Sequence, residues 1–337
     1  DHRDLHSFPT RRSSDLSIFN PNTVTGATIF KGGASAEYGD RIAGVIDIQG
    51  ETQIPTKTTV GFGLNGTQAD VAVKARLSEN LGLVLSGRRS YADIEGLGTP
   101  TFDAISEKVF QNTIVVNDAS GRVIANEEDQ EDLVEGEEVF SFYDTNLKLL
   151  FKPSKNDSIS LSGLLTKNDL NFQLLDDENR SLDALITENQ GASFEWNGLK
   201  ARRWDHSISG YYSKYDSRYR NQFLEEQEVE EENLRRNTVT DYGLDIHLAY
   251  DFTPNHSLKI GYQLANNEVF YQLFRDELGE EDIAPEDEDL DGIESEDERD
   301  FNEVSSLKNR SNSLYATYSY RPKNRGLINV GLRASTF

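Results

Sequence analysis

Apolar residues recur at every second position through most of this chain. Val60, Phe62 and Leu64 are in phase, as are Val71, Val73, Ala75 and Leu77, and then Leu81, Leu83 and Leu85. The pattern returns at Tyr143, Leu147, Leu149 and Phe151, at Ile159, Leu161, Gly163 and Leu165, and more weakly over Phe194 to Trp204. It continues at Ile208, Gly210 and Tyr212, and is cleanest at Tyr242, Leu244, Ile246, Leu248, Tyr250 and Phe252. Leu258 to Leu264, Leu314 to Tyr320 and Ile328 to Leu332 complete eleven segments. Strict alternation of this length predicts β-strands with one apolar face.

The connections sort into two kinds. Short turns are expected at Ser78–Asn80, Pro153–Asp157, Asp205–His206, Thr253–His256 and Arg321–Arg325. Long loops are expected near 90–138, 171–193, 221–237 and 277–308, and the two kinds alternate after a brief first hairpin at Asn65–Gln68. Transmembrane barrels have short turns at one rim and long loops at the other, whereas a soluble sandwich has no reason for that asymmetry. Tyrosines cluster at 211, 212, 215 and 219 and again at 315, 318 and 320, where amphipathic rings suit interfacial girdles. No window approaches the roughly 18 to 20 apolar residues of a spanning helix, which a β-barrel does not need. The expected fold is all-β, a transmembrane antiparallel β-barrel. Eleven strands cannot close a bacterial single-chain barrel, which takes an even number, and plugged transporters use about 22.

Composition changes this picture little, but the placement of charge matters. The net charge is −25. Glu127 to Glu138 holds eight acids and no base, Glu225 to Glu232 six and no base, and Asp276 to Glu303 sixteen against Arg299 alone. These runs outweigh the whole net charge, and all three fall on expected long loops. A basic footprint for nucleic acid is absent. There is no cysteine, which excludes disulfide scaffolds and cysteine-ligated zinc. The five histidines have no metal spacing, and no G-x-S-x-G elbow is present for a serine hydrolase. One segment, Asp287 to Glu298, fits the D-x-D-x-D-G-x₅-E calcium loop, with Asp287, Asp289, Asp291 and Glu298 as ligands around Gly292. Against it, Glu294 stands where an apolar anchor is usual, and no helices flank the loop. A solvated acidic loop is the competing reading. Gly87 to Asp93 closes the third strand, with Arg88 on the inner phase beside Val84 and Ser86, where a buried guanidinium needs a carboxylate. Glu37 and Asp40 are the candidates, with a solvent-facing arginine as the alternative.

The segment Ala27 to Ile48 is organised differently. An apolar stretch to Lys31 meets Gly32-Gly33, then Tyr38-Gly39-Asp40-Arg41, then Gly44 and a second apolar stretch from Val45. It contains neither nucleotide-loop pattern, G-x-G-x-x-G or G-x-x-x-x-G-K-[ST]. Lys31, Gly32, Gly33, Tyr38, Gly39, Asp40, Arg41, Gly44, Val45, Ile46 and Ile48 resemble the closing motif of the plug domain in TonB-dependent outer-membrane receptors. The Arg88-Arg89-Ser90-Tyr91 run is similar to segments of the same family. The resemblance implies a non-enzymatic importer of a scarce ligand across the bacterial outer membrane, surrounded by outer-membrane lipid. TonB and its inner-membrane complex would energise it, and extracellular loops with the plug apex would bind a small molecule, glycan or peptide. Acidic loops favour a cationic, metal-bearing or neutral ligand over a polyanion. The alternatives are a non-transporting outer-membrane adhesin or calcium-binding β-protein, neither of which has a use for a plug motif, and an outer-membrane hydrolase.

Residues 1–16 fit none of this. They match residue for residue a translated sequencing adapter, and Arg11-Arg12 lacks the apolar stretch of a twin-arginine signal. The expected organisation is therefore an adapter-derived 1–16, the end of a plug over 17–50, and the first half of a barrel over 51–337. Phe337 falls out of phase with Ile328, Val330 and Leu332, so the barrel is expected to continue beyond it.

Overall fold

A computed structural model describes residues 20–31, 35–39, 44–65, 67–91, 134–135, 139–175, 179–200, 203–225, 228–277, 300–322 and 326–337. Strands β1 (Val24–Phe30) and β2 (Val45–Gly50) pair antiparallel as a sheet of their own. The main sheet is an antiparallel meander. It runs through β3 (Thr59–Leu64), β4 (Gln68–Arg76) and β5 (Leu81–Ser90), then β7 (Val139–Phe151), β8 (Asp157–Leu175) and β9 (Asn179–Lys200). It continues through β10 (Trp204–Glu225), β11 (Glu228–Thr253), β12 (His256–Glu277), β13 (Asp300–Tyr320) and β14 (Ile328–Thr336). A two-residue β6 (Val134–Glu135) pairs with the end of β8. All eleven alternating segments are strands of one sheet. Among the described residues β3 and β14 are its edges, so the sheet is open.

Strand direction places the β5-to-β7, β8-to-β9, β10-to-β11 and β12-to-β13 ends, which flank the expected long loops, at one edge of the sheet. The opposite edge carries the short turns. There Lys152 N donates to Asn80 O at 2.8 Å, Leu199 N to Asn156 O at 2.9 Å, and Arg321 N to Asn255 O at 2.8 Å, tying each turn to its neighbour. Ser154 Oγ accepts from Asn156 N and Asp157 N, both at 3.1 Å, which lets this connection turn without an apolar residue.

Two expected loops are instead strand. Most of 171–193 belongs to β8 and β9, most of 221–237 to β10 and β11, and 300–308 to β13. Apolar alternation stops in these stretches while backbone pairing continues, since ladder hydrogen bonds do not depend on side-chain polarity. Polar cross-strand pairs replace the apolar ones, such as Arg218 Nη2 to Glu188 Oε2 at 2.6 Å. The turn expected at Asp205–His206 lies earlier, between Lys200 and Trp204. His206 sits inside β10, its ring edge-on to Trp196 at 5.0 Å.

The sheet is polar inside and apolar outside. Phe62 (82 % exposed), Leu147, Leu161, Leu248, Ile260, Leu314 and Leu332 line one exposed face. Ser86, Arg88, Asp144, Thr166, Ser207, Ser313 and Thr317 are buried on the other. A water-soluble sheet does the reverse; this arrangement suits a hydrocarbon solvent. On β10 the outward apolar run extends from Trp204 to Tyr212, the length of strand that crosses a bilayer. At the short-turn end the belt finishes in aromatic rings. Trp204 lies 4.5 Å from Tyr250, Tyr250 5.0 Å from Phe252, and His256 stacks on Tyr320 at 4.6 Å. Tyr212 pairs with Tyr242 at the other end. Tyr211, Tyr215, Tyr219 and Tyr315, expected with the girdles, are on the inner phase. Tyr211 donates to Asp241 Oδ1 at 3.0 Å, and Tyr315 is 1 % exposed.

Candidate functional site

The inner wall holds two polar clusters, each reaching toward the segment that precedes the sheet. The first forms where β12, β13 and β14 meet the turn Ser35–Gly39, closed by Tyr38 N donating to Ser35 O at 2.9 Å. Lys259 Nζ contacts Glu37 Oε2 at 2.8 Å, and Gln263 Nε2 donates to Glu37 O at 3.0 Å. Arg333 Nη1 reaches Ala36 O and Glu37 O, each at 3.3 Å, and Gln263 Oε1 at 2.5 Å. The other side of its guanidinium donates to Ser313 Oγ at 2.8 Å and Ser335 Oγ at 3.2 Å. Gln263 is oriented in turn by Asp245, and Asp245 lies 3.3 Å from His247 Nδ1. Ser35 and Thr317 hydroxyls lie 3.5 Å apart. The arrangement clasps a turn through its backbone carbonyls, and one ion pair fixes its position.

Small residues make the approach possible. A Cβ on Gly39 would overlap the Arg333 side chain, and one on Gly331 would stand 2.8 Å from Ala36 Cβ. Tyr38 packs its ring 5.6 Å from Phe30, and burial, with Glu37, Asp47 and Asp245 nearby, raises its pKa above the ordinary phenol value. Gly44 lies where a Cβ would stand 2.8 Å from Phe30 O. Of the residues singled out from the motif, the structure thus brings Tyr38, Gly39 and Gly44 against the clasp or the β1–β2 hairpin. Lys31 follows β1 and is exposed. Gly32, Gly33, Asp40 and Arg41 lie outside the described residues, as do Asp287, Asp289, Asp291 and Glu298.

The second cluster crosses β4, β5 and β7. Register puts Asp70, Arg88 and Asp144 directly opposite one another. Arg88 and Asp144 form an ion pair with side chains 3 % and 2 % exposed, and the guanidinium lies over the Phe142 ring at 5.3 Å. Asn22, just before β1, donates to Asp70 Oδ2 at 2.7 Å. Arg88 therefore takes its carboxylate from the neighbouring strand and not from Glu37, which Lys259 holds.

Sequence reading missed Lys259, Gln263 and Arg333. The available signal was phase, since all three stand opposite the apolar stripe of their strands. Between the β1–β2 hairpin and the inner wall of β5 to β10 lies a cavity of ≈ 420 Å³, with Asn146, Lys148, Ser162, Glu195 and Tyr211 among its polar lining.

The open meander with an apolar outer face and a polar inner one is the fold of part of an outer-membrane β-barrel. The ferric-catecholate import receptor Fiu of E. coli K12 shares it, with a TM-score of 0.50 and 8 % identity over 91 % of this chain and 59 % of that one. The ferric yersiniabactin uptake receptor FyuA of Yersinia pestis aligns over 81 % of this chain and 40 % of its own, with a TM-score of 0.49 and 10 % identity. The ferric citrate transporter FecA aligns over 91 % and 49 %, with a TM-score of 0.48 and 10 % identity. The chain spans about half the length of these receptors. No family model and no curated protein matches the sequence.

Proposed function

We propose that this chain is part of a TonB-dependent receptor, with the end of a plug over 17–50 and the first half of the barrel over 51–337. It would import a scarce ligand across the bacterial outer membrane. The observation that carries the reading is the clasp. A polar inner wall reaches through Lys259, Gln263 and Arg333 to a turn that contributes no strand to the main sheet. An adhesin gains nothing from an internal segment held this way. In a receptor the segment blocks the lumen, and hydrogen bonds to two backbone carbonyls can be broken and remade without unfolding the wall. TonB and its inner-membrane complex are the proposed source of that work. A cationic, metal-bearing or neutral ligand suits the acidic rim.

The test uses the full-length receptor with Ser35→Cys and Thr317→Cys; the 337 residues of this chain hold no other cysteine. Growth on limiting siderophore, cobalamin, glycan or peptide should depend on TonB, stop when the disulfide forms, and return with reductant. Uptake indifferent to both TonB and the disulfide would contradict the proposal.

A further inference from the structure

The cavity between the β1–β2 hairpin and the inner wall holds two wall side chains of opposite charge. Lys148 on β7, Ser162 on β8 and Ser193 on β9 form one cross-strand row, and Glu195 follows two residues along β9. All four line the cavity, and Val24 and Ile48 of the hairpin face them from the other side. The row stands at the height of Leu147 and Leu161, within the apolar belt of the outer face. An ionisable side chain at that depth is costly, and it persists where a partner or a function holds it.

The protein does not neutralise these two charges itself. Lys148 is half-buried and has no hydrogen-bond or ion-pair partner among the described residues. Its ammonium reaches across to the end of β2, where a Cβ on Gly50 would stand 3.9 Å from Nζ. Glu195 accepts one hydrogen bond, from Asn197 Nδ2 to Oε1 at 2.7 Å, and its other oxygen has no donor among the described residues. The neighbouring charges are engaged elsewhere. Glu51, at the cavity margin, lies 3.4 Å from Lys74 Nζ, and Tyr211 donates to Asp241. Two strand spacings across and two residues along separate the Lys148 and Glu195 Cα atoms by about 12 Å.

Resting on the outer-membrane reading above, we infer that the cavity binds a short zwitterionic peptide, with its carboxylate on Lys148 and its ammonium on Glu195. Ser162 and Ser193 lie between the two charges, where their hydroxyls can meet peptide N–H and C=O groups. The ligand's side chains would lie against Val24 and Ile48. Two or three extended residues span about 7–10 Å, which bridges the wall charges, whereas the charges of a single amino acid lie too close together. A volume of ≈ 420 Å³ suits a ligand of this size. Having no net charge, such a peptide is not repelled by the acidic rim as a free anion would be.

The full-length receptor is reconstituted into phosphatidylcholine vesicles and dialysed to equilibrium against radiolabelled trialanine, its N-acetyl and C-amide derivatives, free alanine and acetate. Losing one charge-assisted contact weakens binding about tenfold or more, and each blocked peptide should bind more weakly than trialanine by that factor. Lys148→Gln should bind the free acid and the C-amide alike while still preferring the free amine. Glu195→Gln should do the converse. Lys155→Gln, on an exposed short turn, should leave every affinity unchanged. Absence of trialanine binding overturns the inference, as do blocked peptides that bind equally well or variants that keep the wild-type preferences. Alanine or acetate binding as tightly as trialanine would assign Lys148 to small anions in general and also overturn it. Protease protection scores insertion separately. Failure to insert refutes the outer-membrane reading itself, whereas insertion without charge-matched peptide binding refutes only this inference.

Discussion

Arg88 shows what one residue's position can and cannot convey. Phase alone puts it on the inner wall and demands a carboxylate. Which carboxylate depends on the strand that pairs next, and that strand begins 49 residues after Ser90, at Val139. Register cannot be counted across such a separation, so Asp144 was not legible and Glu37 looked equally suitable. Asp144→Ala should destabilise the sheet by about 3–5 kcal/mol, because it strands a buried guanidinium. Arg88→Leu with Asp144→Leu should recover most of that loss. Urea midpoints of the three chains decide it, and equal midpoints for the single and double variants would remove the pair's role. Close packing makes a second residue-scale prediction. A Cβ on Gly261 would overlap the buried Tyr315 ring. Gly261→Ala should cost about 1–3 kcal/mol by overpacking, and less in a Tyr315→Leu background.

At the scale of elements, the apolar period located every strand of the main meander but misjudged where several end. The period reports the solvent outside the wall. It stops at Tyr212 and Tyr242 because hydrocarbon stops there, while β10 and β11 continue to Glu225 and from Glu228. Beyond the belt the hairpin is held by backbone pairing and by Asp216, which draws together Arg218, Arg236 and Thr238. Asp216→Ala should raise amide exchange over 214–220 and 232–240 by an amount equivalent to about 1–3 kcal/mol of local opening. Exchange over 242–252 should not change. Uniform acceleration along both strands would mean that the extension has no stability of its own. The glycine-rich segment before the sheet was legible as two apolar stretches with turns between them, though not their pairing as β1 and β2. Its partners on β12 to β14 were not, because they lie more than 200 residues away along the chain.

For the whole molecule, the open sheet curves so that strands near both ends of the meander reach the same short segment. Asn22 meets Asp70 on β4, and Ala36 and Glu37 meet Arg333 on β14. The turn therefore stands inside a wall whose outer face suits lipid. Arg333→Ala should loosen the turn without disturbing the belt. Oxidative cross-linking between Ser35→Cys and Thr317→Cys should then slow severalfold while the urea midpoint moves little. Unchanged cross-linking would leave Lys259 and Gln263 as the only effective holds.

Alternation across the wall tests the inside-out sheet most directly. Single cysteines at Leu147, Leu161, Leu248 and Leu314 fall on the outer face, and at Asn146, Ser162, His247 and Ser313 on the inner one. Each is labelled with a fluorophore in the reconstituted full-length receptor and exposed separately to a lipid-borne and an aqueous quencher. The account predicts lipid quenching at the four leucine positions and aqueous quenching at the other four, switching at adjacent residues. Aqueous quenching at all eight, or the reverse assignment, would contradict it.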